Sequence, residues 1–442
     1  MKLARGLSVF IWLLPFHVVL IAWLFAGVGL PALTVRAIAA WKELLVAILV
    51  GLVALRAGSG RGQRAAIEWL DLAVAGLALI ALAYLVGAQY WFGTELPAGA
   101  RLLGWRDAVF FSLLYFVGRA TPEVGHDFRY LRAIAAVGVV TSVIAIVERL
   151  LVTPETLVAL GAASYIQDFL GLSVTTVHNP YGLPDNYWTV LGDRVVQRAG
   201  STYLSSQGFA VPFLIIVPAA TVLAFRAARH RLLAWLAYCT IWAGLLLTVT
   251  RMTIVTCVAQ LFLTVALLRR WGAGVSAAFA AAVAVGVALL AVPEFAAFLW
   301  QTLTWETGSS VAHLEDWGEG FTHLVEQPLG AGIGAGGLTA ARFGLTPLAA
   351  DSQYFKYAVE MGVLGLLLYL AIIAGIIAAA IRALRRTDSE AARAVALVTG
   401  VAALGLVLNG ATTVPLGTPF FSYVFFWLAG TTVTLAQAGE RV

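Results

Sequence analysis

The 442-residue chain is 61% hydrophobic and 12% charged, with a mean hydropathy of +0.90 and a formal net charge of +5. Soluble domains run at about 45–50% apolar and about 25% charged, so a water-soluble globule, a disordered chain, a collagen, a disulfide-stapled module and a nucleic-acid binder are excluded. What is left is an all-α polytopic membrane protein, whose surplus Arg and Lys belong to cytoplasmic loops rather than to a polyanionic partner.

A span needs about 20 mostly apolar residues to cross roughly 30 Å of hydrocarbon. About twelve segments meet that need, in order 7–28, 38–55, 67–86, 103–118, 131–152, 206–225, 232–250, 252–268, 272–299, 352–380, 393–410 and 414–436. The first run is longer than the roughly 7–15 residues of a signal-peptide core and reads as a retained helix. The second and fourth are short and carry charge in their first turns: Lys42 and Glu43, then Arg106 and Asp107. The chain divides accordingly into helices 1–5 (1–152), a long connection (153–205), helices 6–9 (206–300), a second long connection (301–351) and helices 10–12 (352–442). Cys239 and Cys257 flank Arg251 within apolar runs, at depths that do not suit a disulfide.

With the N-terminus inside, 18 of the 28 Lys and Arg residues fall on one side, and the short Arg-dense loops all lie there. The positive-inside rule makes that side cytoplasmic, both termini included. Both long connections then face outward. They are rich in Tyr and Trp, which argues for function over disorder. Within the second, Leu314, Trp317, Phe321 and Leu324 recur at helical spacing opposite Glu315, Asp316 and Glu319, which predicts an amphipathic helix at the outer surface, ending at Gln327–Pro328.

Charge at membrane depth is expensive and is a functional signal by default. Arg251 lies in a short connection between two apolar spans, where its guanidinium can grip phosphate bidentately or simply snorkel. Arg198, with Arg194 before it, precedes small and hydroxyl residues and the start of a helix, whose free N–H groups favour an anion. Tyr203 follows closely. The run Gly330–Gly337 lacks the Lys and the preceding strand of a P-loop, so close backbone approach is its favoured meaning. Candidate acid–base groups are His313, Glu315, Asp316, Glu319 and Asp351, and more remotely His178 and Asp193; Lys356 lies just beyond Asp351. No metal-ligand spacing is apparent, so neither metal nor cofactor is expected.

Three segments in order resemble the bacterial O-antigen ligase and polymerase superfamily, the WaaL and Wzy type proteins. Arg198-Ala-Gly-Ser-Thr opens a span as in the family's Arg-x-x-Gly-x-Phe segment. Leu-Leu-Leu-Thr-Val-Thr-Arg251 is similar to its Leu-Thr-x-Ser-Arg hairpin. Trp317, Gln327-Pro-Leu-Gly-Ala-Gly-Ile-Gly334, Asp351-Ser-Gln-Tyr and Glu360-Met-Gly-Val-Leu-Gly365 resemble its closing signature. The resemblance implies a metal-independent GT-C type membrane glycosyltransferase at the periplasmic face of the bacterial inner membrane. It would move a glycan from undecaprenyl pyrophosphate to a hydroxyl of lipid A–core (ligase) or of another lipid-linked glycan (polymerase). By the same resemblance Arg198 and Arg251 hold the pyrophosphate and His313 or Asp351 takes the acceptor proton. Arg194, Tyr203, Trp317 and Lys356 are the expected substrate contacts. Asp351 stands where ligases commonly show His, which leaves His313 as another source of an imidazole. A transporter or flippase of lipid-linked saccharide is the alternative, and it would carry its polar groups at midplane.

Overall fold

In a bilayer every backbone N–H and C=O must be satisfied within the protein, so long apolar runs close into helices. A computed structural model of the protein describes residues 3–59, 66–92, 95–172, 181–183, 185–191, 194–227, 230–269, 272, 300, 304, 308–348 and 351–438. Within these, eight helices are long and apolar enough to cross a membrane. They are α1 (Arg5–Gly27), α2 (Ala32–Gly58), α3 (Trp69–Phe92), α6 (Arg129–Leu151), α7 (Ser206–Arg226), α11 (Gln353–Arg386), α12 (Glu390–Asn409) and α13 (Pro419–Ala438). Two shorter apolar helices, α8 (Arg231–Leu247) and α9 (Arg251–Leu267), form a hairpin. The protein is an all-α polytopic membrane protein.

Two of the expected spans differ. The fourth is broken into α4 (Ala98–Val109), a tight turn and α5 (Leu114–Arg119), because Val109 at φ −139° leaves helical geometry. The ninth, 272–299, lies outside the described residues apart from Gly272. The amphipathic segment forms α10 (Gly308–Glu326) and stops at Gln327–Pro328, as its pattern predicts. One element was not anticipated. Residues Trp188–Leu191 (β1) and Arg194–Gln197 (β2) pair antiparallel as a small hairpin in the first long connection.

Helices α7, α12 and α13 are buried nearly all round and form the centre, while α2 and α3 turn Leu and Ile side chains outward toward lipid. With no water to drive helices together inside a bilayer, close backbone approach matters most. Gly118 of α5 rests on the Trp427 carbonyl and Gly430 of α13 on the Tyr115 carbonyl, so neither has room for a Cβ. Gln260 of α9 donates to the carbonyls of Leu214 (2.9 Å) and Val401 (2.9 Å), tying α7 to α12.

The two ends of the bundle differ in charge pattern. At one end the Arg-rich short connections are held by Arg119–Asp71 (3.0 Å), Arg382–Glu68 (2.8 Å) and Arg226–Glu390 (3.3 Å). The other end carries both long connections, which touch where Gly171 packs over the Arg342 carbonyl. The charged first turns seen in the sequence find one another there: Lys42–Glu43 at 3.2 Å, Arg106–Glu43 at 3.7 Å and Arg106–Asp107 at 2.7 Å.

Helix α11 is interrupted at Met361 and Gly362, the latter at φ +65°. The break releases the Val363 N–H to Pro328 O (2.9 Å) and lets Ala331 N–H reach Val359 O (2.7 Å), which stitches the second connection onto the helix. A Cβ at residue 362 would strike the Pro328 carbonyl and Leu329 backbone. Gly362→Ala should therefore lower stability by about 1–3 kcal/mol from its glycine-favouring backbone conformation alone, and by more from the clash. The expected outcome is a clear drop in the melting temperature of detergent-solubilised protein, whereas Gly51→Ala, with nothing near its Cβ position, should leave it unchanged.

Candidate functional site

The hairpin between α8 and α9 turns through Thr248, Val249 and Thr250, with Val249 at φ +48°. Its outward carbonyls lack partners within the helices, and the first long connection supplies them. Arg198 Nε donates to Thr248 O and Arg198 Nη2 to Thr250 Oγ1, both at 2.7 Å. Ala199 N–H donates to Leu247 O at 3.0 Å. On the chain's other side Arg198 N–H donates to Tyr187 O at 2.7 Å, so the segment leaving β2 is clamped between the β-hairpin and the helix hairpin.

Arg251 opens α9 one residue beyond Thr250 and is half-buried. Desolvation first, then the field of Arg251, brings Arg198 down to about 10. No carboxylate forms an ion pair with Arg198 among the described residues. Two guanidiniums near one another at the end of an apolar bundle concentrate positive charge there. The free N–H groups after Arg198, expected to hold an anion, are instead used by the protein. Glu148, buried at the end of α6, accepts from Gly200 N–H (3.2 Å) and Ser201 N–H (2.5 Å). Ser201 and Leu204 sit at φ +49° and +48°, so backbone strain gathers on both segments that carry the arginine pair.

The glycine-rich run behaves likewise. Gly330, Gly332, Gly334 and Gly337 all have positive φ, and Gly334 lies against Ala100 and Gly104 of α4 with no space for a side chain. The Gly334 N–H donates to Glu360 Oε1 at 3.2 Å, so an internal carboxylate occupies the place a phosphate would take. Close backbone approach is its role.

The acid–base candidates assemble from separate elements. His313 and Asp316 share one face of α10, and Asp351 precedes α11. One ligand atom from each lies within 4.8 Å of the others. Desolvation raises the Asp351 carboxyl above its ordinary value, with His313 opposing and Asp316 reinforcing the rise. An imidazole flanked by two carboxylates can be held in one tautomer and accept a proton. The same donor set is also one that a divalent cation can use, a possibility that spacing along the chain does not reveal.

The turn between α12 and α13 joins this trio to the arginine pair. Asn409 Nδ2 donates to Thr253 Oγ1 at 2.9 Å, in the first turn of α9. Gly410 O accepts from Gln353 N–H (2.8 Å) and Ser352 Oγ (3.3 Å), at the start of α11. Ala411 O accepts from Trp317 Nε1 at 2.8 Å, which anchors α10. Arg251, His313 and Asp351 thus stand over one hub.

The other expected contacts are placed differently. Trp317 is half-buried and anchors its helix through that bond. Tyr203 is buried against Phe209, and its hydroxyl has no hydrogen-bond partner among the described residues. Lys356 is buried and paired with Glu360 at 2.9 Å, beneath the glycine run. Arg194 begins β2, opposite Leu191 at the tip of the strand hairpin. Glu315 and Glu319 are exposed on the opposite face of α10, and His178 and Asp193 lie outside the described residues. Cys239 and Cys257 are free thiols. Two residues that hold the candidate site together were missed, Glu148 and Asn409. Each is a polar residue near the end of an apolar span, a signal that was present in the sequence.

Residues 232–370 match the family model described as O-antigen ligase. The match supports assignment of the chain to the O-antigen ligase and polymerase family, as the ordered motifs suggested. It covers the α8–α9 hairpin, α10, the glycine run and α11 through its break, and therefore holds Arg251, His313, Asp316 and Asp351; Arg198 lies before it. No curated protein matches the chain.

Removing the Glu148 carboxylate would orphan two buried N–H groups, at about 1–3 kcal/mol each. Glu148→Ala should lower the melting temperature sharply, and Glu148→Gln, which retains one acceptor oxygen, should lower it less. Equal behaviour of the two variants in a thermal-shift measurement would remove the anchoring role.

Proposed function

We propose that the protein transfers a glycan from undecaprenyl pyrophosphate to an acceptor hydroxyl, at the periplasmic face of a bacterial inner membrane. The observation that carries this reading is the Arg198–Arg251 pair, set at the bundle end that also holds the His313–Asp316–Asp351 trio. The acceptor is lipid A–core in a ligase and a second lipid-linked glycan in a polymerase.

In the proposed step the acceptor oxygen attacks the anomeric carbon as the bond from that carbon to the pyrophosphate oxygen breaks. Negative charge grows on the departing pyrophosphate, and guanidiniums already in place stabilise it without reorganising. Arg198 is fixed by its two bonds to the helix hairpin, so the pair does not have to be assembled by substrate. The acceptor proton passes to the His313 imidazole, with Asp351 and Asp316 orienting the ring and balancing its charge. The bilayer itself confines both lipid-anchored substrates to the plane in which the site lies, which favours their encounter.

Arg198→Ala and Arg251→Ala should each reduce transfer by about 10²–10³ in proteoliposomes, the usual effect of removing one stabiliser of developing charge. His313→Ala should cost about 10²–10⁴, and chelation with EDTA should leave the rate unchanged. Full activity in both arginine variants would defeat the reading, and activity lost to EDTA and restored by a divalent cation would reassign the trio to metal binding. Deleting the gene separates the two acceptors. Loss of long chains from lipid A–core with lipid-linked polymer accumulating marks a ligase, and single-repeat caps mark a polymerase.

A further inference from the structure

Helix α10 meets its surroundings on three sides. Along one, His313 and Asp316 meet Asp351, Trp317 Nε1 donates to Ala411 O at 2.8 Å, and Gly320 has no room for a Cβ against the Phe355 ring. A second side carries Glu315, Glu319 and Glu326, all exposed. The third carries Val311, Leu314, Phe321 and Val325, and it is equally open: Leu314 is 50% exposed, Phe321 62% and Val325 66%. At about 100° per residue the three sides centre roughly 120° apart. The apolar spacing that the sequence shows as one face therefore divides in two, with Trp317 and Leu324 turned inward and Leu314 and Phe321 turned out.

An exposed apolar stripe of this length marks a contact surface. This one runs into surface that faces lipid. Beyond Val325, Leu329 is exposed as well, and its backbone is held by two spanning helices: the Tyr84 hydroxyl of α3 donates to Leu329 O, and the same backbone lies against Gly362 of α11. Exposed Val86 of α3 and Val363, Leu364 and Leu367 of α11 continue the apolar surface along those spans. A helix with one apolar and one charged side, set where spanning helices end, lies with the first in hydrocarbon and the second in water.

We infer that Val311, Leu314, Phe321 and Val325 seat α10 in the hydrocarbon edge of the bilayer, so that lipid holds the His313–Asp316 side of the helix toward α11. The partner is lipid hydrocarbon rather than an anionic headgroup, because the neighbouring side is acidic and α10 contains no Lys or Arg. Rolling the helix would carry His313 away from Asp351, and it would also drive the glutamates into oil and the stripe into water. The bilayer thus opposes that motion. The seat stands without the transferase reading; its effect on the reaction rests on that reading.

The test is spin labelling of the full chain in phosphatidylcholine nanodiscs, in a Cys239→Ser background, since Cys239 is exposed and Cys257 is buried. Nitroxides are attached singly through Phe321→Cys, Val325→Cys and Glu319→Cys, all at exposed positions. Their relaxation is read with molecular oxygen, which collects in hydrocarbon, and with a neutral nickel chelate, which stays in water. Oxygen should dominate at positions 321 and 325, and the chelate at 319. Equal response to the chelate at 321 and 319 overturns the seat. A label at 321 that neither reagent reaches also overturns it, in favour of cover by another segment of the chain. In transfer assays the double variant Phe321→Gln, Val325→Gln should lower kcat and leave donor KM unmoved, whereas Glu319→Gln should change neither. Undiminished kcat in that double variant removes the part played by the seat in the reaction. The relaxation measurement reads the seat even in a protein that shows no transfer.

Discussion

The site depends on the Arg198 guanidinium donating to the tip of the α8–α9 hairpin. A helix hairpin at a membrane surface leaves carbonyls that neither helix can satisfy. Here a cation from a distant part of the chain satisfies them, and in doing so is brought next to Arg251. One pair of bonds therefore completes the backbone of the turn, docks the first long connection onto the bundle, and gathers positive charge at one spot. The repulsion between the two arginines is tolerated because packing on both sides fixes them, through the Tyr187 carbonyl and the Glu148 carboxylate.

A related logic recurs at this end of the molecule: internal carboxylates take backbone donors that an anion could otherwise use. Glu148 fills the turn after Arg198, and Glu360 fills the glycine run. Both places look like phosphate cradles along the sequence, and both are closed by the protein's own acids. On the proposed function, recognition of a diphosphate at this end then falls to side-chain cations, which bind through charge and planar forks.

Much of the fold was legible because span length and apolarity are fixed by bilayer thickness. Ten of the twelve expected segments appear as helices close to their expected limits, and Trp317 and Phe321 marked α10 by spacing alone. The break between α4 and α5 was not legible, since no proline marks it and the departure occurs at Val109. The short strand hairpin was missed because Val190, Val195 and Val196 were read within a long connection rather than as a pair of facing strands. Of the candidate site, Arg198 and Arg251 stood out as charges beside apolar runs. The meeting of His313 and Asp316 with Asp351 did not, because α10 and the start of α11 come together only in the fold, with Gly320 against Phe355 and both tied to the turn after Asn409.

The interruption at Gly362 also sets how deep the charged interior reaches. Residues 363–386 run for about 36 Å at ~1.5 Å per residue, already longer than the ~30 Å of hydrocarbon that a helix has to traverse. The turn that precedes them, with Lys356 and Glu360, is surplus to that crossing. Set beyond that length, the Lys356–Glu360 ion pair is buried in protein and spared immersion in oil.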